Sequence, residues 1–298
     1  MRALLCPGQG TQRSGMLEPW LEQRELIDRM SDAAGLDLVE YGCNADDATV
    51  TDTAIAQPLI VAVGILSNIA LGAPAVDAVA GHSVGEITAL QIAGVITAEQ
   101  AVRLAAVRGQ AMSDAAAQVQ TSMSAVIGGD RTEVEAVIAA SGAVLANINS
   151  AQQVVAAGTA EQLASLAENP PTRARVIPLT VAGAFHTQFM APAVELVRAE
   201  IAQIQPADPI CTVISNRDGA ELRVGAEALS RIVSQITSPV HWDLCQATLS
   251  SAKALVEVAP GGVLVGLAKR ELRGVPAVAI TSPDDIPAAH TLLEEALA

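Results

Sequence analysis

Short, largely apolar runs of strand length alternate along this chain with longer runs of helical period. Met1 to Pro7 and Val76 to Ala80 read as short apolar strands. Gly15 to Met30, Ala54 to Leu71 and Ala98 to Ala117 read as helices, with Pro58 placed in the first turn of the second. Strand, helix, strand in that order predicts an α/β fold around a mostly parallel sheet.

The rhythm changes in the middle. Ser122 to Ile127, Val144 to Ile148, Val154 to Ala157 and Arg175 to Leu179 read as strands. Arg131 to Ala140 and Glu161 to Glu168 read as the helices between them. This βαββαβ order is the split-βαβ pattern. The expected organisation is a large α/β domain from 1–120 and 183–298, with a small domain of its own core inserted at 121–182. After Gly183 the α/β character returns: Glu195 to Ile204 and Gly262 to Arg273 read as helices, Ile210 to Ser215 and Ala254 to Val258 as strands.

Gly81-His82-Ser83-Val84-Gly85 carries the candidate chemistry. It matches G-x-S-x-G between an apolar strand and a helix-like run, Val84 to Ala93, the context a nucleophile elbow requires. A tight turn there lifts the Ser83 hydroxyl clear of the sheet. The helix that follows aims its first amides at the place where an oxyanion would form. Glu86, in the first turn of that helix, reads as a partner of the helix dipole.

Composition narrows the function. Of 298 residues, 51% are hydrophobic and 16% charged, which excludes a disordered chain. A net charge of −15 argues against nucleic acid as a partner and against a polybasic membrane anchor. Cys6, Cys43, Cys211 and Cys245 have no metal-ligand spacing and read as buried thiols. Ala54 to Leu71 is apolar but carries Gln57, Ser67 and Asn68, so it reads as a core helix rather than a membrane span. With no basic segment ahead of the first apolar run, a cytoplasmic location is expected.

A serine needs a base. His82 adjoins Ser83 and cannot easily turn onto it. His290 lies near the tail. His186, in Gly183-Ala184-Phe185-His186-Thr187, falls where the insert rejoins the main sheet, and clefts form at such junctions. His241, before a helix, is the second candidate. No buried-looking acid lies between Ser83 and His186 to complete a triad, but a backbone carbonyl can fix an imidazole equally well.

Taken together, Pro7-Gly8-Gln9-Gly10-Thr11-Gln12, Gly81-His82-Ser83-Val84-Gly85-Glu86, Asn147-Ile148-Asn149-Ser150, Arg108-Gly109-Gln110, Gly183-Ala184-Phe185-His186, Ser238-Pro239-Val240 and Gly261-Gly262-Val263-Leu264 span nearly the whole chain. In their order along the chain they resemble the acyltransferase family of fatty acid and polyketide synthesis, whose members move malonyl groups from coenzyme A to acyl carrier protein. Thr11 and Val84 stand where many members carry serine and leucine.

The resemblance implies an α/β-hydrolase-like large domain with a ferredoxin-like insert. It implies that Ser83 is acylated and that His186 is its base, oriented by a backbone carbonyl near His241. The amides of Gln12 and Val84 would form the oxyanion hole, and Arg108 would bind the free malonyl carboxylate. Gln12 and Asn149 would point amides at the acyl group. Phe185 would occlude an α-methyl branch, as a Phe-His pair does in polyketide relatives that select malonyl over methylmalonyl. Malonyl-CoA and acyl carrier protein are the implied partners, with no metal or resident cofactor, coenzyme A entering as part of the substrate. Lys269, Arg270 and Arg273, or Arg173 and Arg175, are candidate basic patches for an acidic carrier. The competing reading is a serine esterase or thioesterase, which shares the elbow but needs no carboxylate-binding arginine.

Overall fold

A computed structural model describes residues 1–297. The strands are β1 (Arg2–Cys6), β2 (Ala78–Gly81), β3 (Thr121–Gly128), β4 (Val144–Ser150), β5 (Gln153–Thr159), β6 (Ala174–Pro178), β7 (Thr212–Ile214), β8 (Glu221–Leu222), β9 (Val240–His241), β10 (Ala254–Glu257) and β11 (Ala277–Ala279). They form two sheets, flanked by helices, in an α/β architecture.

The larger sheet has the order β11-β10-β1-β2-β7-β8. All its pairings are parallel except β7 with β8. β1, β2 and β10 are almost wholly buried, in keeping with their continuous apolar runs. The β1–β2 register sets Cys6 opposite Gly81. The Pro7–Gln12 loop and the Ser83 turn therefore leave the sheet side by side, at the carboxyl ends of adjacent strands, where α/β sheets bind ligands.

The second sheet has the order β6-β3-β5-β4-β9. Its first four strands come from the predicted βαββαβ segment and are antiparallel. The fifth, β9, comes from outside that segment and pairs parallel with β4. One face packs on the segment's own helices, Arg131–Ala140 and Ala160–Glu168, through Val134, Ile138, Leu163 and Leu166. The other face sends Met123, Ala146, Val155 and Ala157 into the main core. The segment therefore closes a core of its own on one face and adds to the main core on the other.

Helix Thr53–Ala70 is long and apolar enough to cross a membrane, but its residues are 78% buried inside the molecule. Asp52 caps it through Ala54 N at 2.8 Å. Pro58 lies beyond its first turn, inside the helix, where its missing N–H leaves one turn unbonded. Helix Ala98–Gln118 starts at a Thr97–Gln100 capping box. The two helices approach closely at Gly109, where a Cβ would stand 2.7 Å from Thr53 O. That approach brings Arg108 onto Gln57.

One reading differs in extent. Gly15 to Met30 is not one helix: a 3-10 turn (Glu18–Gln23) precedes the helix Arg24–Ala34. The short helix Asp47–Thr51, helix Gly225–Gln235 and helix Ile286–Glu295 have no counterpart in the sequence reading, whereas helix Trp242–Thr248 begins directly after His241, as expected. Glu257, buried at the end of β10, accepts bonds from Gly262 N, Leu264 N and Val265 N at 2.8, 3.1 and 2.9 Å. A carboxylate there anchors helix Val263–Glu271 by its orphan amides.

Candidate active site

Ser83 sits in the left-handed region, φ 54°. The turn is possible only because its flanking positions are glycine. A Cβ on Gly81 would lie 2.0 Å from the Gly85 carbonyl carbon, and one on Gly85 would lie 2.1 Å from Cys6 O. The elbow thus presses the start of helix Gly85–Ile92 directly onto β1 and β2. Held strain of this kind collects at functional sites.

His186 also has a left-handed backbone, φ 60°. Its segment is tied down on both sides: Ala184 N donates to Thr121 Oγ1 at 2.9 Å, and Thr187 Oγ1 donates to Ala184 O at 2.6 Å. The imidazole comes to rest with Nε2 at 2.8 Å from Ser83 Oγ and Nδ1 at 3.0 Å from Gln235 O. A carbonyl oxygen only accepts, so Nδ1 carries the proton and Nε2 is free to take the one on Ser83. Burial, and then the nearby Arg108 charge, pull the His186 pKa down to about 3, so the ring is neutral at physiological pH.

The orienting carbonyl is therefore that of Gln235, not one beside His241. Gln235 ends the helix Gly225–Gln235, and the last carbonyls of a helix have no partner within it. His241 lies on β9, its backbone N bonded to Asn216 O at 2.8 Å, and takes no part in the cleft. The free carbonyls of a helix end were the signal available in the sequence. Without the boundary of that helix, the segment could only be placed near Ser238-Pro239.

Arg108 is wholly buried. Nη1 donates to Gln57 Oε1 at 2.6 Å, Nη2 to Gln235 Oε1 at 2.8 Å and to Ser83 Oγ at 3.3 Å. Its Nε has no partner. Burial brings its pKa down to about 10, which leaves it charged at neutral pH. Among the described residues no carboxylate stands within 4.0 Å of it. A buried guanidinium fixed by two amides and aimed at a serine hydroxyl is a ready receptor for an incoming carboxylate.

Ser83 and His186 open onto a cleft of about 400 Å³ between the two sheets, and Arg108 reaches the Ser83 hydroxyl from outside the cleft lining. Ser83, His186, Phe185, Gln12, Asn149 and His82 all line it. The backbone amides of Gln12 and Val84 donate to no other group among the described residues. The Gln12 side chain turns back instead, its Oε1 accepting from Gly10 N at 2.7 Å. Asn149 Oδ1 is taken by His82 Nε2 at 3.0 Å, which ties β4 to the elbow. Its carbonyl accepts from Gln246 Nε2 at 2.8 Å. Phe185 is almost fully buried with its ring against the cleft.

Three residues went unrecognised in the sequence. Asn216 takes Ser83 N on Oδ1 at 2.8 Å and donates Nδ2 to Gly81 O at 2.6 Å, bracing the elbow from both sides. Gln57 and Gln235 hold Arg108. Buried amides carry no sequence signature until the helices bearing them are placed. Glu86, in the first turn of the elbow helix, is 5% exposed and bonded to Asn216 N and Gln235 Nε2. Among the described residues no group of three or more His, Cys, Asp or Glu side chains is placed to hold a metal ion.

The comparisons agree with this geometry. A family model described as the acyl transferase domain matches residues 3–288. The malonyl CoA-acyl carrier protein transacylase of Mycobacterium tuberculosis H37Rv is 53% identical over 296 residues, covering 96% of this chain and 98% of that protein. The protein of the same name from Mycolicibacterium smegmatis is 47% identical over 284 residues, covering 91% and 98%. The crystal structure of MCAT from Mycobacterium tuberculosis superposes with a TM-score of 0.94 at 52% identity, covering 97% of this chain and 99% of that one. With a matching family model over most of its length and relatives at this identity, the chain belongs to the acyl transferase domain family.

Proposed function

We propose that the chain moves a malonyl group from malonyl-CoA to the phosphopantetheine thiol of acyl carrier protein, supplying units for fatty acid synthesis. The observation that carries this is the buried, carboxylate-free Arg108 at 3.3 Å from the Ser83 hydroxyl. A hydrolase of neutral esters has no use for a cation there. The names of the relatives point the same way.

Ser83 Oγ attacks the thioester carbonyl carbon while His186 Nε2 takes its proton. The tetrahedral oxyanion is held by Gln12 N–H and Val84 N–H. Collapse expels the coenzyme A thiolate, which takes the proton from His186, and leaves malonyl-Ser83. The carrier thiol then gives its proton to His186 and attacks the ester, and it leaves with the malonyl group as Ser83 Oγ takes that proton back from His186. Gln235 O keeps the ring in one tautomer through both halves. Arg108 clasps the free carboxylate, and Phe185 and Asn149 bound the acyl pocket.

On this reading the chain is a catalytic α/β-hydrolase-like domain, 1–120 and 183–298, carrying a ferredoxin-like small domain, 121–182. Coenzyme A comes and goes as part of the substrate, with no resident cofactor. Four free cysteines suit the cytoplasm, where the reaction would run. Helix Val263–Glu271 lines the cleft mouth with Val263, Leu264 and Leu267 and ends in exposed Lys269 and Arg270, a basic approach for an acidic carrier. Initial rates at varied malonyl-CoA and carrier test the scheme: a ping-pong pattern of parallel reciprocal lines supports it. Intersecting lines contradict it.

A further inference from the structure

Glu86 has no place in the scheme above, yet it is the buried carboxyl nearest the machinery. It lies on the first turn of the elbow helix, and it does not line the cleft. Its Oε1 accepts from Asn216 N at 2.6 Å and its Oε2 from Gln235 Nε2. Both partners are donors. Only a carboxylate, with two acceptor oxygens, satisfies both at once.

That contact decides which way the Gln235 amide points. Nε2 faces three acceptors: Glu86 Oε2, Ser83 O at 3.2 Å and Asn216 Oδ1 at 3.3 Å. Oε1 then faces Arg108 Nη2 at 2.8 Å. The flipped amide would set N–H against N–H at Arg108 and oxygen against oxygen at the other end. We propose that Glu86 is a positioning residue for acyl selection, its carboxylate locking the Gln235 amide so that Oε1 holds the Arg108 guanidinium beside the Ser83 hydroxyl.

The amide between them has a purpose. A carboxylate in direct contact would pair with Arg108 and occupy the site meant for the acyl carboxylate. Through Gln235, Glu86 orients the guanidinium and leaves its charge unpaired at close range. Burial raises the Glu86 pKa to about 7, and the Asn216 amide and Arg108 act against that rise.

This inference rests on the reading of Arg108 as the carboxylate receptor, so the test separates the two. Single-turnover acylation of Ser83 is measured with malonyl-CoA and acetyl-CoA in four proteins: unaltered, Glu86→Gln, Arg108→Ala and the double variant. Gln at 86 is isosteric but must turn a donor toward one of two donors. The malonyl-to-acetyl rate ratio is expected to fall about tenfold or more in Glu86→Gln, the size of one lost hydrogen bond to a charged group. It is expected to fall no further when Glu86→Gln is added to Arg108→Ala. Glu86→Asp, too short to reach Gln235, is expected to lower the ratio likewise and serves if the amide variant does not fold. A ratio that drops in Arg108→Ala but holds in the Glu86 variants overturns the positioning role alone. A ratio that holds in Arg108→Ala overturns the reading of Arg108 and the inference with it.

Discussion

Gln235 holds His186 by its backbone and Arg108 by its side chain: O to Nδ1 at 3.0 Å, Oε1 to Nη2 at 2.8 Å. One helix end thereby fixes both the imidazole and the guanidinium around Ser83. The partner of the imidazole is neutral, so no carboxylate raises its basicity. The ring is expected to stay neutral with its proton on Nδ1 across the physiological range, because burial pulls its pKa to about 3. Ring-nitrogen shifts of ¹⁵N-histidine protein between about pH 5 and 8 check this. A His186 titration midpoint near the ordinary imidazole value would contradict it.

Stability carries a second signature of the same pocket. The folded pKa of His186, about 3, lies below its ordinary 6.5, so between those values the unfolded chain binds the extra proton and acid destabilises the fold. Glu86, raised from 4.5 to about 7, works in the opposite direction: its contribution is present at low pH and lost as pH rises through 7. The two oppose each other between 4.5 and 6.5. Glu86→Gln is therefore expected to show a steeper fall in Tm on acidification through that window than the unaltered chain. Thermal unfolding at a series of pH values measures it, and an equal or shallower slope would sink the assignment of opposing protons.

Arg108→Ala is expected to cut malonyl transfer by about 10⁴-fold while raising relative activity on uncharged acyl groups, since a site built around one polar partner rejects groups lacking it by about that factor. Rates with malonyl-CoA and acetyl-CoA decide. Unchanged acyl preference would mean that the guanidinium serves packing alone.

Phe185 presents its ring to the cleft one residue before the base. Phe185→Ser opens room for an α-methyl branch and is expected to raise methylmalonyl-CoA use relative to malonyl-CoA by about 10-fold, the order of a methyl group in an apolar pocket. Competition between the two thioesters measures the shift. A preference that does not move would leave the ring a packing residue only.

Much of this was legible from the residues themselves. Ser83 announced itself because an elbow needs glycine at 81 and 85, and both glycines meet backbone within 2.2 Å of where a Cβ would stand. The split-βαβ segment was legible because its turns and helix caps are strongly punctuated, Asp130 and Thr159 both capping helices. His186 followed from its place at a junction. What escaped was whatever depends on a partner far away in sequence. β9 has two residues and exists only because β4 offers an edge. Gln57 is an ordinary polar residue until Gly109 brings its helix onto that of Arg108, and Asn216 and Gln235 are so until β7 and helix Gly225–Gln235 set them beside the Ser83 turn. The base-orienting carbonyl was placed six residues too late because the end of helix Gly225–Gln235 has no glycine or proline directly after it.

The most direct test of the central claim is the fate of the acyl group on Ser83. Protein mixed briefly with malonyl-CoA is read by intact mass and peptide mapping, then offered carrier thiol or buffer alone. The account predicts a malonyl adduct on Ser83, absent in Ser83→Ala, formed about 10²- to 10⁴-fold more slowly in His186→Ala, and discharged to the thiol far faster than to water. An adduct elsewhere, or one that water removes as readily as the carrier does, would contradict it.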